Sequence, residues 1–206
     1  MRIARLGNSK RKQERVLVYL EDGSILRITG AELLQFGLYQ GLDLPPETLA
    51  ALEAAARRSD TKRRGANMAA GRMLSKKELT SRLTRKGASP EDAADTADWL
   101  EELGAVDDAA YAGAIARHYG AMGCGAGRVR QELHRRGVPK ELWDEALAQL
   151  PPPEEAIRKF LRTKLRGRPL TPEDSRRMAA ALQRRGFSWQ DIRPALNELG
   201  QEIDEA

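Results

Sequence analysis

The chain has 206 residues, of which 32% are charged and 5% aromatic, and its formal net charge is +5. A single cysteine excludes an intrachain disulfide and favours a reducing compartment, and the absence of any run of about 18 apolar residues argues against a membrane-spanning helix. The first residues also lack the apolar segment of a secretory signal, so we expect a cytoplasmic protein. The modest positive charge is compatible with either a nucleic acid or an acidic protein surface as partner.

The N-terminal residues 1–14 are polar and basic, and they predict a flexible arm. Two β-branched runs at 16–20 and 25–28 then flank an Asp22-Gly23 pair, which is a strong signal for a β-hairpin. Two strands alone are marginally stable, so the hairpin must pack on another element. The cation cluster of the predicted arm consists of Lys10, Arg11 and Lys12.

Helical signals follow the hairpin directly. Thr29 is expected to cap a short helix that ends at Gly37, because threonine and glycine favour the two ends of a helix. A further helix is predicted over 47–58, followed by a basic break over 59–65. Residues 15–66 are therefore predicted to form one N-terminal element of a hairpin and helices.

A short pattern then recurs three times: a leucine, two cations that begin two positions further on, and a glycine. The glycines are Gly87, Gly137 and Gly186, which are 50 and 49 residues apart (137−87 and 186−137). A nearly constant spacing of this size predicts tandem structural units. We place these units at 67–106, 107–152 and 153–206, the last ending in an acidic tail.

Matched apolar positions predict three helices in each unit. Apolar residues eight and four positions before each glycine share one face of a second helix, and those 6, 10 and 13 positions after it form the stripe of a third. The first helix of the first unit is predicted over 67–74. The prolines at 151–153 predict a stiff joint and the glycine-rich segment 120–127 a loose one. The expected N-caps are Ser75, Ser89, Thr171 and Ser188.

Three segments of the repeats resemble the RecX family of bacterial regulators of the RecA recombinase. They are residues 100–112, residues 125–138, and Arg184-Arg185-Gly186-Phe187-Ser188 followed by Ile192 and Leu196. The resemblance covers about residues 67–200, and its three motifs occur in the family's order. It implies an all-α fold of three tandem three-helix repeats that form an elongated, curved molecule, here with a small N-terminal β-hairpin and helix.

The resemblance also implies a function. A member of this family is expected to bind the RecA–DNA filament and to inhibit its ATPase and strand-exchange activities, and so to modulate homologous recombination, DNA repair and the SOS response. Some members contact DNA directly, so weak DNA binding is a second expectation. We further expect a monomer that uses no cofactor, no metal and no small-molecule substrate.

The candidate contact residues are the cations of the repeats. Lysine and arginine in the last turn of a helix also favour the helix dipole, so a role as caps and a role in binding both remain open. Arginine suits binding because its planar fork pairs with two oxygens of a carboxylate or phosphate. The candidates are Arg85, Lys86, Arg128, Arg130, Arg135, Arg136, Arg158, Arg162, Lys164, Arg166, Arg168, Arg184 and Arg185.

Catalytic chemistry is not indicated by the sequence. His118 and His134 are too few and too isolated to suggest a metal site, and no Ser/His/Asp, Cys/His or paired carboxylate arrangement is apparent. We therefore expect a protein that is not an enzyme. The alternative to a recombinase regulator is a helical repeat protein that binds nucleic acid directly and without sequence preference.

Overall fold

The computed structural model describes residues 1–8 and 15–204, with side chains as far as Leu199. The predicted basic arm contains Lys10, Arg11 and Lys12, which lie outside the described residues. The side chains of the predicted acidic tail lie outside them as well. The chain forms two compact units: Met1–Arg72 with Leu79–Ala105, and Met73–Glu78 with Val106–Ala206. Within the described ranges, no helix has the length and apolar character needed to cross a membrane.

The first unit begins with a three-stranded antiparallel sheet of order β1-β2-β3. The strands are β1 (Ile3–Asn8), β2 (Arg15–Leu20) and β3 (Ile25–Thr29). The predicted hairpin is confirmed, and its turn uses Gly23 at a φ of +85°. The predicted flexible arm is wrong for the residues of β1, because this segment pairs along β2 and buries Ile3 against the core.

Helix α1 (Gly30–Gln35) is capped as the sequence predicts. The Thr29 hydroxyl accepts a hydrogen bond from the Glu32 amide, and the Glu32 carboxylate accepts one from the Thr29 amide. Gly37 follows the helix at a φ of +57°. These contacts fix the point at which the chain leaves the sheet.

Helix α2 (Pro46–Gly71) is continuous over 26 residues. The predicted break at 59–65 is therefore wrong, and the helix predicted at 67–74 is the last part of α2. The basic segment contains no proline, and Asp60 pairs with Arg63 and Arg64 one turn later, which offsets the repulsion among the cations. The predicted boundary between 66 and 67 accordingly falls inside one helix.

Gly65 lets α2 pack closely on another helix. A Cβ atom at Gly65 would lie 2.6 Å from Cγ2 of Thr96 and 3.1 Å from Cδ1 of Leu100, both in α4 (Pro90–Glu102). Helix α3 (Lys76–Arg85) lies between α2 and α4 in the chain; its first residues belong to the second unit and the rest to the first.

The expected N-caps of α3 and α4 are confirmed. The Ser75 hydroxyl accepts a hydrogen bond from the Glu78 amide, and the Ser89 hydroxyl accepts one from the Asp92 amide.

The second unit contains the remaining repeats, each with its own apolar core. One core is formed by α5 (Asp108–Ala121), α6 (Ala126–Arg135), a 3₁₀ turn (Lys140–Leu142) and α7 (Trp143–Leu147). The other is formed by α8 (Pro153–Leu165), α9 (Pro172–Arg184) and α10 (Trp189–Asp204). The Thr171 and Ser188 caps of α9 and α10 are also confirmed.

The three glycines of the repeated pattern end their helices as predicted. Gly87, Gly137 and Gly186 have φ values of +90°, +69° and +89°, in the left-handed region that favours glycine. In each turn the amide after the glycine donates to the carbonyl of the leucine four positions before the glycine. These leucines are Leu83, Leu133 and Leu182, and all three are buried.

The glycine-rich segment predicted to be a loose joint is a tight contact between two repeats. The Gly125 amide donates to the Arg185 carbonyl and the Gly127 amide to the Gly186 carbonyl, both at 2.9 Å. A Cβ atom at Gly186 would lie 2.1 Å from the Arg128 nitrogen. We call this main-chain contact the glycine seam. The prediction failed because glycine composition indicates backbone flexibility but does not reveal the partner of Gly125, which lies 60 residues further on (185−125).

Candidate interaction surface

One buried carboxylate gathers three of the candidate arginines. Glu132 on α6 is 5% exposed, and its oxygens lie 3.0 Å from Arg128 Nη2, 2.6 Å from Arg135 Nη2 and 3.7 Å from Arg136 Nε. Helical spacing explains the cluster, because residues three and four positions apart share a face. These three arginines therefore have a structural partner within their own repeat.

Electrostatics at Glu132 favour its charged form. Burial alone would raise the pKa of Glu132, but the hydrogen bond and charge of Arg135, together with the charge of Arg128, outweigh burial and hold that pKa below its usual value. The same hydrogen bond raises the pKa of the Arg135 guanidinium. The lowered pKa keeps the Glu132 carboxylate ionised at neutral pH.

Arg136 belongs to a network that covers the start of α3. Its guanidinium donates to the Tyr111 hydroxyl, and its carbonyl accepts a hydrogen bond from the Ser75 hydroxyl. The Tyr111 hydroxyl in turn lies 3.1 Å from Glu78 Oε2, and burial together with the charge of Glu78 raises the pKa of Tyr111. Arg136 therefore joins the end of α6 to Tyr111 and to Ser75, which caps α3.

Arg158 and Arg185 are also engaged inside the second unit. Arg158 holds the Glu198 carboxylate through two nitrogens, with Nε 3.1 Å from Oε2 and Nη2 3.0 Å from Oε1. Arg185 lies over the Phe160 ring at 4.9 Å and donates at 3.4 Å to the Gly123 carbonyl. Lys164 lies 5.9 Å from the centre of the same ring.

The other candidates project into solvent. Within the described ranges no carboxylate pairs with them, and their hydrogen bonds are to the main chain: Arg85 donates to the Ser81 carbonyl and Arg168 to the Leu165 carbonyl, both at 3.4 Å. Arg166 has a φ of +50° and ends α8, so its position is set by the turn. The exposed candidates without a carboxylate partner are Arg85, Lys86, Arg130, Arg162, Lys164, Arg166, Arg168 and Arg184.

The dibasic pairs of the three repeats are thus not equivalent. In the first pair both side chains are exposed, and the Lys86 carbonyl accepts a hydrogen bond from Arg64 Nη1 at 3.0 Å. In the second pair both arginines contact Glu132. In the third, Arg184 is exposed and Arg185 packs on Phe160. The same sequence pattern therefore makes different side-chain contacts in each of the three repeats.

A second group of arginines, in the first unit, was not among the candidates. Three of them approach Asp60 on α2: Arg15 at 3.5 Å, Arg63 at 2.5 Å and Arg64 at 2.7 Å. The helical spacing of Asp60, Arg63 and Arg64 is visible in the sequence, although the density of cations in this segment favours a break. The contribution of Arg15 from the sheet had no signal in the sequence.

Comparison with known proteins identifies the repeats. Residues 107–147 match the family model of the second three-helix domain of RecX, and residues 153–196 match that of the third. The regulatory protein RecX of Chlorobaculum tepidum is 33% identical over 139 residues, covering 65% of this chain and 84% of that protein. That of Bacillus subtilis is 26% identical over 212 residues, covering 98% of this chain and 79% of that protein.

Solved structures show the same fold. A crystal structure of regulatory protein RecX has a TM-score of 0.75 at 23% identity, covering 95% of this chain and 98% of that chain. The crystal structure of RecX from Lactobacillus salivarius has a TM-score of 0.65 at 17% identity, covering 70% and 97%. The predicted fold class, helical repeats with a small N-terminal β element, is confirmed.

Proposed function

Because this chain belongs to the RecX family of regulatory proteins, we propose that it binds the filament of the RecA recombinase on DNA and inhibits ATP hydrolysis and strand exchange by that filament. The protein thereby modulates homologous recombination, DNA repair and the SOS response, and it acts in the cytoplasm, where that partner works. ATP is bound and hydrolysed by the recombinase, so the regulator itself needs neither a cofactor nor catalytic residues.

The observation that carries this proposal, beyond family membership, is the set of exposed cations in the second unit. Arg130, Arg162, Lys164 and Arg184 reach solvent, and no carboxylate of the described residues neutralises them. An arginine fork or a lysine in this state pairs readily with a carboxylate of the recombinase or a phosphate of its DNA. Binding at such sites inhibits the filament because the protein occupies its surface and neutralises its charge, and this chain catalyses no reaction.

The direct test is an ATPase measurement on filaments assembled on single-stranded DNA. We expect the purified protein to lower the rate of ATP hydrolysis in a saturable manner. Arg130→Glu should weaken this inhibition by about tenfold in half-maximal concentration, because a charge-assisted contact is lost and a repulsive charge is added. Lys140→Glu, which makes the same charge change at an exposed position outside the candidate set, is the matched control.

Two results would reject the proposal. One is an unchanged ATPase rate at a saturating concentration of the folded protein. The other is equal weakening by Arg130→Glu and Lys140→Glu, which would mean that net charge and not a defined surface carries the effect. The Arg128, Arg135 and Arg136 side chains are unsuitable for this test, because their reversal would also remove the partners of buried Glu132.

A second candidate function is direct binding to nucleic acid without the recombinase. The end of α8 and the turn after it favour this function, because Arg162, Lys164, Arg166 and Arg168 fall within seven residues and are all exposed. Phosphate contacts of this kind give binding that is independent of sequence and strongly dependent on salt. This function is compatible with a role on DNA-bound filaments.

A further inference from the structure

The first unit contains a groove of about 770 Å³, between β3, α2 and the turn that precedes α4. One face of α2 forms its floor, with Arg57, Asp60 and Arg64 in successive turns. The residues 25–27 of β3 form one side, and Gly87, Ala88 and Ser89 form the other. The volume suits a ligand the size of a nucleotide or a short stretch of polymer.

The lining of the groove is rich in guanidinium groups. It includes five arginines and three carboxylates, which leaves an excess of two positive charges (5−3). Arg27 has no carboxylate partner among the described residues, and Arg57 has only a 3.8 Å contact with Glu53. The five arginines are Arg15, Arg27, Arg57, Arg63 and Arg64, and the carboxylates are Glu53, Asp60 and Asp92.

A buried arginine in this lining has no close carboxylate of its own among the described residues. The Arg15 side chain is only 7% exposed, yet its contacts are long: 3.2 Å to Ser59 Oγ, 3.4 Å to the Arg27 carbonyl and 3.5 Å to Asp60 Oδ1. Asp60 is already held more closely by Arg63 and Arg64. A single carboxylate therefore serves three guanidinium groups, and burying a cation with so little compensation is costly.

A second, independent observation concerns Arg63. Its Nε atom is buried and has no hydrogen-bond partner among the residues that the structure describes, although buried donors in folded proteins are nearly always paired. Its Nη2 atom is the one that contacts Asp60. The groove thus combines an unsatisfied donor, a buried cation that shares its carboxylate partner, and two exposed arginines, Arg27 and Arg57, without a close carboxylate partner among the described residues.

We propose that this groove is a binding site for phosphate groups. A phosphate supplies three or more acceptor oxygens and up to two negative charges, and the planar guanidinium fork matches its geometry. A carboxylate side chain supplies only two oxygens and one negative charge, which does not balance the excess of two positive charges in this lining. Glu53 and Asp92 at the groove further disfavour an acidic peptide, because a chain of carboxylates would meet them along its length.

Phosphate groups come from two sources, a free nucleotide or a nucleic-acid backbone, and the test separates them. Isothermal titration of the full chain at low salt would use inorganic pyrophosphate and ATP as free phosphate ligands. Fluorescence anisotropy of a labelled oligothymidylate would report a backbone. An acidic peptide, such as oligoglutamate, serves as the comparison anion.

Arg57→Glu and Arg58→Glu form a matched pair of variants. Both residues are exposed neighbours on α2, but only Arg57 lines the groove. We expect Arg57→Glu to weaken phosphate binding by about tenfold or more, since a charge-assisted hydrogen bond is replaced by repulsion. Arg58→Glu, with the same change in net charge, should stay within about twofold of the unaltered protein.

Each outcome decides the proposal. Binding of pyrophosphate or ATP that depends on Arg57 supports a free phosphate ligand, and binding of the oligonucleotide alone with that dependence supports a backbone site. Failure of all three probes to bind, equal losses in the two variants, or stronger binding of oligoglutamate would overturn it. No recombinase is present in these assays, so their failure leaves the proposed regulatory function standing.

Discussion

The arginines around Glu132 show that a positive charge alone does not reveal whether a residue binds a partner or pairs within its own repeat. From the sequence, Arg128, Arg135 and Arg136 are candidates for contact with a partner, with a purely local role left open. In the structure each lies within salt-bridge distance of this one buried carboxylate. A buried ion pair of this kind contributes to stability only while both partners are charged. Its contribution therefore depends on pH.

Glu132→Gln is expected to lower the free energy of unfolding by about 2 kcal/mol at pH 7, because hydrogen bonds between charged groups are lost. The pKa of Glu132 is lowered by folding, so this stabilisation is present above the unfolded value of 4.5 and is lost as the pH falls through the folded value. Urea denaturation at several pH values between neutral and strongly acid should show the two proteins converging.

The control for that comparison is Glu141→Gln, at an exposed position in the same repeat. It should change the free energy of unfolding by less than about 0.5 kcal/mol at any pH. A constant difference between Glu132→Gln and the unaltered protein across the acid range would show that packing, not ionisation, is what the carboxylate contributes.

Helix ends were the elements best predicted from the sequence. Thr29, Ser75, Ser89, Thr171 and Ser188 all cap as expected, because capping is decided within a few residues of the chain. Helix α2 was predicted poorly for the opposite reason. Gly65 favours a break when it is considered alone, but in the structure it allows close packing of α2 against α4, and this partner cannot be seen locally. The pairing of Asp60 with Arg63 and Arg64 is local, and its helical spacing was the signal in the sequence for a continuous helix.

Two equivalent glycine turns are expected to respond differently to the same substitution. Gly87→Ala should cost about 1 kcal/mol, because the residue keeps a left-handed conformation but a Cβ atom would meet no atom of the described residues within 4 Å. Gly186→Ala should cost at least about 3 kcal/mol, because a Cβ atom would also collide with the main chain of Arg128.

Thermal unfolding of the two variants checks this difference. The melting temperature should fall much further for Gly186→Ala than for Gly87→Ala. Equal decreases would mean that the seam opens at little cost, and that the contact between the second and third repeats contributes little to stability.

On the scale of the whole molecule, the spacing of the glycine turns predicted a series of repeats along the chain. It did not predict which groups the surface cations contact. The three turns recur because their hydrogen bonds are local. The partners of individual cations, such as Glu198 for Arg158 and Phe160 for Arg185, come from other helices and are not encoded in the pattern. The groove in the first unit depends on Arg15 and Asp60, which are 45 residues apart.

The whole chain carries an excess of only five positive charges, so any binding to DNA should be local and salt-dependent. We expect the affinity for single-stranded DNA to fall by about tenfold or more between about 50 and about 200 mM salt, as phosphate contacts release counterions. The double variant Arg162→Glu/Lys164→Glu should abolish most of this binding. Anisotropy titrations at several salt concentrations measure both effects.

Lys140→Glu/Arg176→Glu is the matched control, since it changes the net charge equally at exposed positions outside the basic turn. Steep salt dependence without any effect on recombinase filaments would favour the second candidate function. Loss of DNA binding in Arg162→Glu/Lys164→Glu with filament inhibition retained would favour direct contact with the recombinase. Equal losses in both double variants would rule out a defined DNA-binding turn.

The glycine seam has a consequence for how such a regulator can change its target. The hydrogen bonds at Gly125 and Gly127 join main-chain amides to the carbonyls of Arg185 and Gly186, and the Arg185 side chain adds a contact to the Gly123 carbonyl. Neighbouring surface positions such as Arg130 and Arg184 are therefore open to replacement while the two repeats keep their docking. Any contact that a partner makes with these surface residues can change in evolution while the main-chain contact between the two repeats is kept.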